Sequence, residues 1–85
     1  MTSTYRKPMP GDTVVLEEVP HGLLEGLPKE DQWAISKVVG KPIRLNEYDD
    51  EGRAELEFTD NEGTIHFIYV SPEVIRMADG SARTQ

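Results

Sequence analysis

The side chains best suited to acid–base or metal chemistry in this 85-residue chain are two histidines and sixteen carboxylates, with no cysteine. His66 lies in the apolar run Ile65–Val70, one strand-length after Glu57. A histidine beside a carboxylate can act as an acid–base pair, but catalysis also needs a nucleophile or an oxyanion site, and the sequence specifies neither. His21 sits in Pro20-His21-Gly22, a turn sequence. Without cysteine there is no disulfide framework, no thiolate zinc site and no cysteine nucleophile. The spacing shows no phosphate-cradling glycine loop, no metal-ligand pattern and no nucleophile elbow. The expectation is a protein that is not an enzyme, with no cofactor and no metal.

The carboxylates are unevenly placed. Eight of the sixteen lie between Glu47 and Glu62, opposed there only by Arg53. Calcium needs six to eight oxygen ligands on a defined loop, and neither Asp49-Asp50-Glu51-Gly52 nor Asp60-Asn61-Glu62-Gly63 has that spacing. Turn chemistry and solubility account for these acids. With nine basic residues the formal net charge is −7, a sign that repels phosphate backbones and disfavours general nucleic-acid binding. A docking surface for a basic partner remains open, formed by Asp49, Asp50, Glu51 and Glu62.

The elements that must position these groups are short. Polar ends at residues 1–10 and 79–85 are expected to be flexible tails around one folded unit, residues 11–78. Thr13–Glu17 reads as a strand partly covered on both sides. Pro20–Gly26 is irregular, and a helix of about twelve residues follows. Pro28 suits its first turn, Glu30 and Asp31 favour the positive end of the dipole, and Gly40 fits a left-handed exit. So short a helix must dock to persist. Pro42–Tyr48 and Arg53–Thr59 alternate with period two. A symmetric loop between them would pair Leu45 with Leu56, Ile43 with Phe58 and Arg44 with Glu57. The second loop, with Asp first and Gly fourth, favours a glycine bulge that offsets the register by one. His66, Ile68 and Val70 then face inward, and Ile65, Phe67 and Tyr69 outward. A symmetric loop would reverse this and set His66 beside Glu57 on the outside. Pro72-Glu73-Val74 reads as one helical turn before a short strand, Ile75–Met77.

Over residues 11–78 this order resembles the Src-homology-3-like small β-barrels. The resemblance rests on Gly11-Asp12-Thr13-Val14, a long irregular first loop, three meandering strands, and Val70-Ser71-Pro72-Glu73-Val74-Ile75. It implies a mainly β fold: a five-stranded barrel of bacterial type, with one inserted α-helix and a terminal one-turn helix. The Ala-Leu-Tyr-Asp-Tyr-type run and adjacent tryptophan pair of the signalling domains that bind proline-rich peptides are absent, so polyproline recognition is not implied. Such barrels also occur as accessory subunits of bacterial enzymes and as modules of RNA-binding proteins, so function must come from the site.

The aromatic residues supply the functional lead. Trp33 lies roughly 160° around the helix from Ile35, off the apolar face. Tyr48 is expected to point outward, as are Phe67 and Tyr69 in the bulged register. Exposed aromatics on a strand face bring contact area with few rotors to freeze. Either the inserted helix folds over them or a partner uses them. The leading expectation is a non-enzymatic protein-interaction module, binding a protein through the helix and the strand face, with Trp33, Tyr48, Phe67 and Tyr69 as anchors. The alternative is an acidic nucleic-acid mimic that blocks a basic DNA- or RNA-binding partner. No run approaches the ~18 apolar residues of a membrane span, and the N-terminus lacks a signal peptide's apolar stretch. A cytoplasmic monomer or weak dimer, away from membranes, is the expected state.

Overall fold

The computed structural model describes residues 7–78. Five strands, β1 (Thr13–Leu16), β2 (Pro42–Tyr48), β3 (Ala54–Thr59), β4 (Ile65–Val70) and β5 (Ile75–Met77), accompany one helix, α1 (Lys29–Val38), and a 3₁₀ turn at Pro72–Val74. All neighbouring strands are antiparallel, in the order β4-β3-β2-β1-β5, which leaves β4 and β5 as the two edges of the sheet. No described helix is long and apolar enough to cross a membrane.

The remaining parts of the expected tails, residues 1–6 and 79–85, lie outside the described residues. Within residues 7–10, contact with the fold is made at Pro8 and Met9. Pro8 is buried, and the Met9 N–H donates to Asp12 Oδ2 at 2.8 Å.

One face of the sheet and one face of α1 share the core. Val14, Leu16, Leu45, Leu56 and Ile35 are its largest fully buried side chains. Val15 points to the other side of β1 and is also buried, as the run of three apolar residues implies. The helix begins after Pro28, which precedes the first turn in an extended conformation. Glu30 and Asp31 occupy the first turn and Lys37 the last, complementing the dipole. Gly40, at φ +86°, ends it. The Gly40 N–H donates to Leu16 O at 2.9 Å, so the helix exit is tied directly to β1.

The two hairpins close in the same way. Asp49 Oδ1 accepts the N–H groups of Glu51 and Arg53. Asp60 Oδ1 likewise accepts those of Glu62 and Thr64. In both, the Gly N–H returns to the Asp carbonyl, and the Asp N–H donates to the carbonyl of the residue after Gly. Gly52 and Gly63 sit at φ +82° and +86°, the glycine-bulge geometry.

The second turn therefore gives the expected offset register, with Phe58 opposite His66, Leu56 opposite Ile68 and Ala54 opposite Val70. In the first, the symmetric expectation is corrected. The turn offsets the strands so that Tyr48 pairs with Ala54, and an irregularity between Leu45 and Glu47 then absorbs the extra residue. Leu45 opposite Leu56 and Arg44 opposite Glu57 hold as expected because the two offsets cancel. Beyond the bulged Asn46 they do not, and Tyr48 shares the interior side with buried Ala54 and packs against the core.

An added Cβ at Gly52 or Gly63 meets nothing within 4 Å. Gly52→Ala and Gly63→Ala are expected to cost about 1–2 kcal/mol each, from backbone conformation alone. Leu56→Ala, which removes a fully buried side chain, is expected to cost about 2–5 kcal/mol. Urea unfolding followed by circular dichroism checks all three.

Candidate functional site

Three of the five exposed large hydrophobic side chains among the described residues lie on the outer side of β4. Ile65, Phe67 and Tyr69 are 53%, 53% and 43% exposed. They alternate with His66, Ile68 and Val70, which face the interior, so the exposed three form one stripe along the sheet edge. Helix α1 buries Ala34 and Ile35 on the opposite, interior side. It does not fold over the aromatic stripe.

Beside the stripe runs a polar row on β3 and β2. Glu57 lies opposite Phe67, and Glu55 opposite Tyr69. The Tyr69 hydroxyl donates to Glu55 Oε1 at 3.3 Å, and the Arg53 guanidinium stands 5.5 Å from the Tyr69 ring centroid. The charge of Glu55 is the main cause of a raised Tyr69 pKa. Asn46, turned outward by its bulge, donates from Nδ2 to Glu55 at 3.3 Å and to Glu57 at 3.0 Å. Its Oδ1 accepts from Arg44 Nε at 2.8 Å. The carboxylates bordering the stripe are thus held in place by a bridge from the next strand, leaving a fixed apolar strip with an ordered polar margin.

The other anchors expected from sequence lie elsewhere. Trp33 is 69% exposed, with Lys37 Nζ 5.3 Å from its ring centroid. It lines a groove of about 340 Å³ between α1 and the β3–β4 turn, with Lys37, Lys41, Asp60 and Glu62. That groove is on the helix side of the sheet, so Trp33 does not join Phe67 and Tyr69 in one surface. Tyr48 is corrected from an outward anchor to a packing residue. Its hydroxyl donates to Pro8 O at 2.7 Å and Lys7 Nζ sits 4.2 Å from its ring centroid, so it holds the N-terminal segment. The four expected acids separate as well. Asp49, Asp50 and Glu51 are in the turn before β3 and Glu62 is in the turn after it, at opposite ends of a six-residue strand. Asp49 is occupied by its own turn.

His66 also changes partners. Glu57 is on the far face, and the ring instead stacks on Phe58 with centroids 5.1 Å apart. Its Nε2 is 2.8 Å from Asp60 Oδ2, and Nδ1 is 3.6 Å from Asp31 Oδ1. With its side chain only 10% exposed, it ties the β3–β4 turn to the first turn of α1. Among the described residues no cluster of three or more His, Cys, Asp or Glu side chains is arranged to hold a metal ion.

Sequence reasoning placed Ile65 outward but did not count it as part of a site; the alternation Ile65-Phe67-Tyr69 was the available signal. The partners Asp31 and Asp60 had no such signal, because they meet His66 only through the docking of α1 and the closing of the turn.

The bond to His66 and the N–H of Thr64 hold the Asp60 carboxyl below its ordinary value. Partial desolvation pushes Asp49 upward, but the N–H groups of Arg53 and Glu51 and the Arg53 side chain outweigh it and lower its pKa too. A carboxyl with a depressed folded-state pKa contributes stability above its unfolded pKa of about 3.9, and loses it as pH falls through the folded value. The urea midpoint is therefore expected to decline below about pH 4. Asp60→Asn is expected to lower the midpoint at neutral pH and to flatten that acid decline; an unchanged acid slope would show that this turn does not carry it. No family model, curated protein or solved structure matches the chain, so function rests on the arrangement of these residues.

Proposed function

We propose that this chain is a Src-homology-3-like small barrel acting as a protein-interaction module, with the outer side of β4 as its contact surface. The element order supports the fold reading: a long first connection carrying α1, a β2–β3–β4 meander, then a 3₁₀ turn leading into a short strand that pairs with β1. The observation that carries the function is the stripe Ile65, Phe67 and Tyr69, half exposed on one face of an edge strand and uncovered by the helix. Two rigid aromatics and a β-branched residue, set side by side with a polar margin, have the composition of an interface centre with its rim. The ordered bridge from Arg44 through Asn46 to Glu55 and Glu57 lowers the ordering cost on binding, because the margin is already fixed. Trp33 and its groove form a second, separate contact that a large partner could reach around the edge of the sheet.

Central aromatic anchors each contribute about 2 kcal/mol or more when truncated. Phe67→Ala combined with Tyr69→Ala is expected to weaken capture of a cellular partner by at least ~30-fold while leaving the far-ultraviolet circular dichroism unchanged. Trp33→Ala alone is expected to have the smaller effect. Pull-down with immobilised wild-type and variant proteins measures both, and undiminished capture by the double variant sinks the proposal.

A further inference from the structure

The two edges of the sheet differ in how they are protected. Edge strands expose unpaired backbone N–H and C=O groups, and stable monomers commonly guard them with charges, proline or short length. β5 is guarded: it has three residues, includes Arg76, and follows directly on Pro72–Val74. β4 is not. It has six residues, and from Thr64 to Ser71 the chain contains no acid, lysine, arginine or proline. No backbone hydrogen bond reaches β4 from any described residue other than those of β3.

We infer that two copies of this chain pair antiparallel through their β4 edges, joining two five-stranded sheets into one. The strand is its own complement. A twofold axis at Phe67 sets Phe67 against Phe67 of the second copy and Ile65 against Tyr69, so each exposed apolar side chain meets another. The interior-side residues His66 and Ile68 face each other across the same axis. Aromatic–aromatic and aromatic–β-branched pairs are favourable cross-strand neighbours. Charge selects this contact over others. At −7 per copy two chains repel over most of their surface, and this uncharged edge is where they can approach.

The contact is small. Half-exposed Phe67 and Tyr69 present roughly 100 Å² each, and six residues a side stay below the ~800 Å² per partner of a standard-size interface. The dimer is accordingly a weak one, formed at high micromolar concentration. Pairing uses the backbone edge and leaves the outer faces of both stripes turned the same way, so it doubles the apolar face. The inference stands apart from the partner reading: self-association is measured without any partner.

Sedimentation equilibrium of the full chain, from micromolar to millimolar concentration and at low and high salt, tests it. The weight-average mass is expected to rise from 9.6 kDa towards twice that value, and to rise further at high salt as the net charge is screened. Phe67→Lys, which sets two like charges opposite each other on the axis, is expected to weaken association by at least ~10-fold. Ile65→Lys, at the end of the strand, is expected to act in the same direction, and circular dichroism confirms that each variant is folded. Concentration-dependent amide shifts in nuclear magnetic resonance are expected over residues 64–71. A mass that stays at 9.6 kDa at millimolar concentration overturns the inference. So do association that weakens with salt, growth past the dimer, wild-type association by both folded lysine variants, or shifts centred on α1.

Discussion

With Gly63 at φ +86°, the turn after β3 takes up one more residue than a symmetric loop would, and every side chain of β4 is set by that step. The side-chain period of a strand is two, so a one-residue slip exchanges its faces completely. Asp60 fixes the step by accepting the Glu62 and Thr64 N–H groups on one carboxylate oxygen and holding His66 on the other. Ile68 and Val70 are core for this reason, and Phe67 and Tyr69 are surface.

The same carboxylate links that step to the docking of the helix. His66 lies between Asp60 of the turn and Asp31 of α1, stacked on Phe58. A ten-residue helix has little stability of its own, and α1 is held by Ile35 in the core, by Gly40 bonded to β1, and at its start by this histidine. The helix is thereby committed to the interior side of the sheet. Among the described residues, that leaves Ile65, Phe67 and Tyr69 exposed on the outer side of β4.

Much of this was legible in the residues. Strand alternation placed β2 and β3 with small boundary differences, the one-turn helix at Pro72–Val74 placed β5 after it, and the Asp-x-x-Gly signature of the second turn favoured the inward set His66, Ile68 and Val70. The first turn carries the same signature, and reading it as symmetric put Tyr48 on the wrong face. The pairs Leu45–Leu56 and Arg44–Glu57 came out correctly only because the bulge at Asn46 reverses the turn's offset. Nothing in the local sequence marks Asn46 as a bulge. It is accommodated because its side chain bridges Glu55 and Glu57, two residues of the neighbouring strand.

By itself the sequence determined the element types and the approximate extent of the helix, and for β4 it left two registers of which turn chemistry favoured the one found, since these follow from period, turn chemistry and the conformational freedom of glycine. Only the tertiary structure decided that α1 docks on the interior side, that Tyr48 holds the N-terminal segment, and that His66 joins two aspartates rather than Glu57. It also separated Trp33 from Phe67 and Tyr69, and Asp49 from Glu62. The physical reason is common to all of these. Each depends on contacts between residues far apart in the chain, and local propensity and spacing contain no term for them.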